Sequence, residues 1–245
     1  MDVLPKSSRT RIKAVVALSL AFAAGCVDII GYMSFGHVFT AHMTGTTVHL
    51  GERLVHGGWW KALDSGGMIV SFVAGSIIGR TAIEVASRRH FRSVANSTLM
   101  LEAFLIAIAI AVSHHEVVSL VLLAGAMGVQ TATLTRVGSL TIHTTFVTGM
   151  LNKLAQLLSH AFFLTYDVSR RKEGAVSSRV KVLLDARFIF GVWLMYATGA
   201  VIGTWLKLRW GVPALVVPAV LVSLLAVLDL ISPLAIEEER DQSER

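Results

Sequence analysis

Apolar residues in this chain come in long continuous runs rather than in an alternating or one-faced register. Such runs occupy residues 14–32, 68–87, 97–112, 117–134, 188–206 and 212–231. Each is close to the roughly 20 residues that a helix needs to cross hydrocarbon. Two passages interrupt the pattern. The first, GCVDIIGYMSFGHVFTAHMTGTTVHLGERL at 25–54, begins inside an apolar helix and breaks up over residues 35–40. Helical spacing resumes only after Thr44-Gly45. The second, TIHTTFVTGMLNKLAQLL at 141–158, resumes at Thr148-Gly149 and extends helically toward residue 166. A broken backbone in lipid leaves N–H and C=O groups without partners, so it persists only where protein or a water-lined cavity satisfies it. The first passage is also polar for its depth, with Asp28, His37, Thr40, His42, Thr44, Thr46, Thr47 and His49.

The two passages stand at matching places in the chain. FVAGSIIG at 72–79 aligns with YATGAVIG at 196–203, and Gly75, Gly79, Gly199 and Gly203 fall in register as small-xxx-small pairs suited to close helix packing. Each half therefore reads helix, broken segment, glycine-paired helix, final helix. Charge sets the topology. Basic loops stay cytoplasmic, and RRHFR at 88–92 falls inside only if the broken segments dip in and return. The expected fold is an all-α polytopic membrane protein with about six full transmembrane helices plus two broken or re-entrant segments. Three crossings per half make the two repeats inverted, as in many secondary transporters. The expected organisation is a basic cytoplasmic head at 1–13, one transmembrane domain at 14–233 and an acidic tail at 234–245. Repeat one takes residues 14–113 and repeat two 117–232. The stretch HGGWWKALDSGG at 56–67, with Trp59 and Trp60 at headgroup level, reads as a connection. The stretch 170–187 reads as the longest polar segment.

Composition agrees with a membrane protein. Of 245 residues, 54% are hydrophobic and only 16% charged, against about 25% charged in soluble domains. Mean hydropathy is +0.66. The net charge of +6 sits in short clusters between apolar runs, which argues for cytoplasmic loops and against a nucleic-acid partner. Apolar sequence continues past Cys26, so the N-terminal run is expected to be a retained helix rather than a cleaved signal. That cysteine stands alone, which rules out an internal disulfide.

Candidate chemistry concentrates at the breaks. Helices starting near Thr44 and Thr148 would aim unpaired N–H groups and a positive dipole end into the membrane. Threonine hydroxyls there would either coordinate an anion or simply cap the backbone. Asp28 is an ionisable group in a span, where such groups usually face a cavity or a partner; a structural bond to the break is the plainer reading. Glu102 makes a weaker claim of the same kind, near its helix start and within reach of the interface. His37, His42 and His49 match no metal-ligand spacing, so no metal and no cofactor are expected. A histidine there suits proton transfer better. Gln130 and Arg136 end the fifth run beside the second break. The expected substrate-binding set is Asp28, His42, Thr44, Gly45, Gln130, Thr148 and Gly149. No nucleophile elbow, phosphate loop or nucleotide fingerprint occurs, so no catalytic residue and no enzyme activity are expected.

The motifs GCVDIIGY…AHMTGTTVHLG and GAMGVQTATLTRVG…HTTFVTGMLNKLA resemble those of the YoaK family of bacterial inner-membrane proteins, over about residues 13–233. At Thr46 the chain departs from that pattern, where asparagine commonly follows Thr-Gly. The resemblance implies a multi-pass protein of the inner membrane and brings no substrate. Two function classes follow from the residues. One is a small transporter or channel for a small solute, anions included, with a midplane site between the two Thr-Gly segments. The other is a non-transporting structural or partner-binding membrane protein. Expected partners are the lipid bilayer and a small solute or proton; further copies of the chain are also compatible.

Overall fold

The computed structural model describes residues 6–56, 58–89, 93, 95–133, 136–137, 140–142, 144–169 and 175–231. His90, His143, residues 170–172 and the acidic tail lie outside the described residues, as does the side chain of Arg136. The chain forms α1 (Lys6–Ser34), α2 (Met43–Val55), α3 (Trp59–Arg88), α4 (Asn96–Ala111) and α5 (Glu116–Thr133). A two-residue hairpin pairs β1 (Arg136–Val137) with β2 (Leu140–Thr141). Then come α6 (Val147–Ser169), α7 (Ala175–Trp210), a 3-10 turn (Val212–Leu215) and α8 (Val216–Ile231).

Among the described residues, five stretches are long and apolar enough to cross a membrane: Arg11–Ser34, Trp59–Arg88, Glu116–Thr133, Val176–Trp210 and Val212–Ile231. The sixth expected crossing is α4, which is apolar but has only 16 residues, or about 24 Å of rise. With 13 residues, α2 rises about 20 Å and cannot cross about 30 Å of hydrocarbon alone. Helix α6 has the length but is not among the five.

Two expected loops are helical instead. Residues 59–67 belong to the first turns of α3, and 175–187 to the first turns of α7. Polarity makes both segments look like interruptions between spans. Yet WWKALDS and VKVLLDAR contain no glycine or proline, and Lys, Leu, Ala and Arg are good helix formers. Low hydropathy marks where lipid ends, not where a helix ends.

The helices pack in an inside-out order. Most of α1 and α5 is buried, while α3, α7 and α8 turn large apolar side chains outward, among them Val70, Ile77, Val201, Trp205 and Leu224. The most extensive contacts are α3 with α5 and α1 with α7. Glycines set both. A Cβ on Gly75 would overlap the Gly125 carbonyl oxygen, and one on Gly128 would overlap that of Phe72. Likewise Gly199 lies against the Phe22 carbonyl, Gly203 against Cys26, and Gly25 against the Tyr196 carbonyl. The sequence of these contacts gives direction: α3 runs parallel to α5, and α1 parallel to α7. Helices α1 and α5 are antiparallel, because Leu20 meets Gln130 while Gly31 meets Leu123. Polar bonds reinforce the seams, from Ser71 Oγ to the Val121 carbonyl (2.7 Å) and from Cys26 Sγ to the Gly199 carbonyl (3.1 Å).

Candidate functional site

Helix α1 ends because the chain enters left-handed backbone at Gly36 (φ 65°) and His37 (φ 57°). Glycine adopts this region freely and histidine less so. The Phe35 N–H closes the last turn on the Gly31 carbonyl at 3.0 Å. The chain then folds back along α1, and Gly31 makes room for it. A Cβ there would stand 2.8 Å from Thr40 Cγ2.

The returning backbone would be left with unpaired N–H groups, and Asp28 takes them. Its Oδ1 accepts from Thr40 N (2.8 Å), Thr40 Oγ1 (2.7 Å) and Ala41 N (2.9 Å). Its Oδ2 lies 2.9 Å from His42 Nδ1 and accepts from the Tyr196 hydroxyl on α7. The close approach of α7 at Gly25 is what brings Tyr196 within reach. Asp28 and Thr40 are buried, but the His42 side chain is 38% exposed. His42 continues into an aromatic row. Its ring is 4.8 Å from Phe39, which stacks on Tyr32 at 4.4 Å, and 6.4 Å from Tyr196. The result is a polar array leading from a buried carboxylate through an imidazole to the surface.

The second break is closed by neutral groups. Gln130 Nε2 donates to the Leu20 carbonyl (2.9 Å) and to Thr144 Oγ1 (3.1 Å), and Thr131 Oγ1 pairs with Thr145 Oγ1 at 2.7 Å. Thr144 and Thr145 are buried. Gly149 leaves space for the ring of Phe146, which lies across the start of α6.

The structure therefore divides the expected site. Asp28 and His42 meet. Gln130 belongs to the other break, at the level of Leu20, eight residues from Asp28 along α1, or about 12 Å. Thr44, Gly45 and Thr148 are exposed, and Gly149 half-buried, on the outer faces of α2 and α6. A Cβ on Gly45 would meet nothing within 4 Å. The two Thr-Gly starts do not line the wall that carries Asp28. The physical reason is phase: the buried threonine of α2 is Thr46, and the threonines that bond across the breaks precede the helices. Thr40, Thr131, Thr144, Thr145 and Tyr196 are the residues missed. Their signal was the threonine pair 40 and 144, at the same spacing as the Thr-Gly pairs, and the tyrosine opening YATGAVIG.

Elsewhere, His37 sits edge-on to Tyr32 and His49 lies 3.3 Å from Glu52. Among the described residues no cluster of three His, Cys, Asp or Glu is placed to hold a metal. An open cleft of about 720 Å³ lies where α2 meets α3, lined by His49, Arg53, His56, Trp59, Trp60 and Lys61. It is separate from the Asp28 array.

Comparison with known proteins fits this picture of a polytopic helical chain. No solved structure matches it. A family model described as a protein of unknown function (DUF1275) matches residues 16–228. The chain is 30% identical over 188 residues to the UPF0700 transmembrane protein YoaK of Bacillus subtilis (strain 168), covering 75% of this chain and 79% of that protein. The match runs from the first turns of the membrane part of α1 almost to the end of α8, and the chain belongs to the DUF1275 family of membrane proteins.

Proposed function

We propose that this chain is a small transporter or channel of the bacterial inner membrane, N-terminus cytoplasmic, moving a small solute, anions included. Its two halves form inverted repeats. The support is directional: α1 and α5, which open the two halves, are antiparallel, and each pairs in parallel with the glycine-bearing helix of the other half. The observation that carries the functional reading is the array Asp28–His42–Tyr196. An ionisable pair inside a membrane span is costly and is characteristic of ion and proton pathways. His42 joins the buried acid to the surface and is the residue type whose charge changes near neutral pH. The solute site is placed at His42, among Phe39, Tyr32 and Tyr196, rather than between the Thr-Gly starts.

The second reading is structural, and a specific observation favours it. Both oxygens of Asp28 are occupied, and four of the five donors belong to the break itself. On that reading the carboxylate only closes the backbone.

Asp28→Asn separates the two. The amide oxygen keeps the donors from Thr40 and Ala41, while its NH2 faces His42 and Tyr196, both of which can switch to accepting. The fold should survive. In proteoliposomes screened against a panel of small anions and neutral solutes, wild-type uptake is expected to depend on pH and that of Asp28→Asn to lose this dependence. Uptake by neither protein across the panel would favour the structural reading.

A further inference from the structure

Glu102 is fully buried on α4, and among the described residues neither carboxyl oxygen has a hydrogen-bond partner. The contrast with Asp28 is complete: five donors there, none here. Among the described residues, the elements against α4 offer no counter-charge at contact. Its main neighbours are α5, whose only titratable group is the exposed Glu116, and α8, whose only one is Asp229, bonded to Ser93 Oγ at 2.9 Å. The 3-10 turn carries none. Helix α3, which touches α4 less, carries Lys61, Asp64, Arg80, Glu84 and Arg88. None of these reaches hydrogen-bond or ion-pair distance of Glu102. A carboxylate without donors in an apolar interior is far more costly than the neutral acid.

We propose that Glu102 is a proton-binding site, a neutral carboxylic acid held in the membrane interior that exchanges its proton when the packing around α4 admits water. This deepens the transport reading by giving the coupled proton a carrier. Asp28 keeps its place with His42 at the proposed solute site, while Glu102, which has no such donors, is a second acid free to load and unload. Short α4 suits the task, since about 24 Å of helix leaves both ends close to water.

Two measurements on the full chain in proteoliposomes test this without any solute, so their outcome is separable from that of the uptake assay. The first is infrared difference spectroscopy at neutral pH. A protonated-acid carbonyl band should be present in wild type and in Asp28→Asn, absent in Glu102→Gln, and shifted after exchange into D2O. The second is dicyclohexylcarbodiimide, which takes up a carboxyl proton as it adds to the acid oxygen and ends as a stable N-acylurea with nothing lost. Mass spectrometry should map one adduct to the peptide containing Glu102, with labelling falling as pH rises. Because this reads wild type alone, it stands even if Glu102→Gln fails to fold. A carboxylate signature at Glu102, a band that resists exchange, or labelling confined to other acids would overturn the proposal.

Discussion

Asp28 illustrates how far one buried side chain can be read. A carboxylate in an apolar run is conspicuous in sequence because its burial is costly, and His42 stood out for its titratable ring. Their meeting depends on Gly36 and His37 turning the chain back, and only the glycine hints at that. Thr40 and Tyr196 were harder, since a threonine in a break and a tyrosine in a span each have ordinary uses. Thr44 and Thr148 drew attention because a Thr-Gly pair opens each helix, whereas the side chains of the preceding helices bond the residues just before those starts, Thr40, Ala41, Thr144 and Thr145. A stability prediction belongs at this scale. Asp28→Ala leaves Thr40 N and Ala41 N buried without an acceptor, which costs about 1–3 kcal/mol for each unsatisfied group. Thermal unfolding in detergent should place Asp28→Ala clearly below Asp28→Asn. Equal melting of the two would mean that the bonds to the break contribute little.

At the scale of elements, the helices were legible where apolar runs coincide with their limits, as in α4 and α8. They were misjudged in α3 and α7, which continue past hydrocarbon on polar residues with good helix propensity. The small-residue seams were legible too, because glycine at four-residue spacing has a direct packing meaning. Gly79 is closely surrounded: a Cβ would stand 3.0 Å from Ala132 Cβ and 3.2 Å from the Val129 carbonyl. Gly79→Leu is expected to lose about 1–3 kcal/mol through overpacking. Gly128→Ala should also destabilise, because the Phe72 carbonyl is backbone and cannot swing aside. Gly45→Ala is the control, meeting open space in the first turn of α2; alanine there should leave stability unchanged or raise it by about 0.5–1 kcal/mol. A loss at Gly45 equal to that at Gly128 would show that contact geometry is not what the glycines serve.

The whole molecule turns on whether α2 returns to the side where α1 ended. At about 20 Å it is shorter than the hydrocarbon core, and on the proposed arrangement α1 and α3 are successive full crossings with a re-entrant piece between. Their antiparallel course follows from the packing, since α3 runs with α5 and α5 runs against α1. On that arrangement Arg88 and Arg89, at the end of α3, share a side with the basic start of α1, which the Lys/Arg bias would put in the cytoplasm. Two exposed positions bracket α3: His56 just after α2, and Arg89 just after α3. The one cysteine, Cys26, is buried and donates to the Gly199 carbonyl, a bond that serine can keep. In a Cys26→Ser background, a membrane-impermeant thiol reagent added to intact cells should label His56→Cys and spare Arg89→Cys. Opening the membrane should then expose Arg89→Cys. Labelling of both from outside would mean that α3 does not cross. The reverse pattern would mean either that α2 crosses or that the N-terminus lies outside, and either would remove the six-crossing arrangement with a cytoplasmic N-terminus.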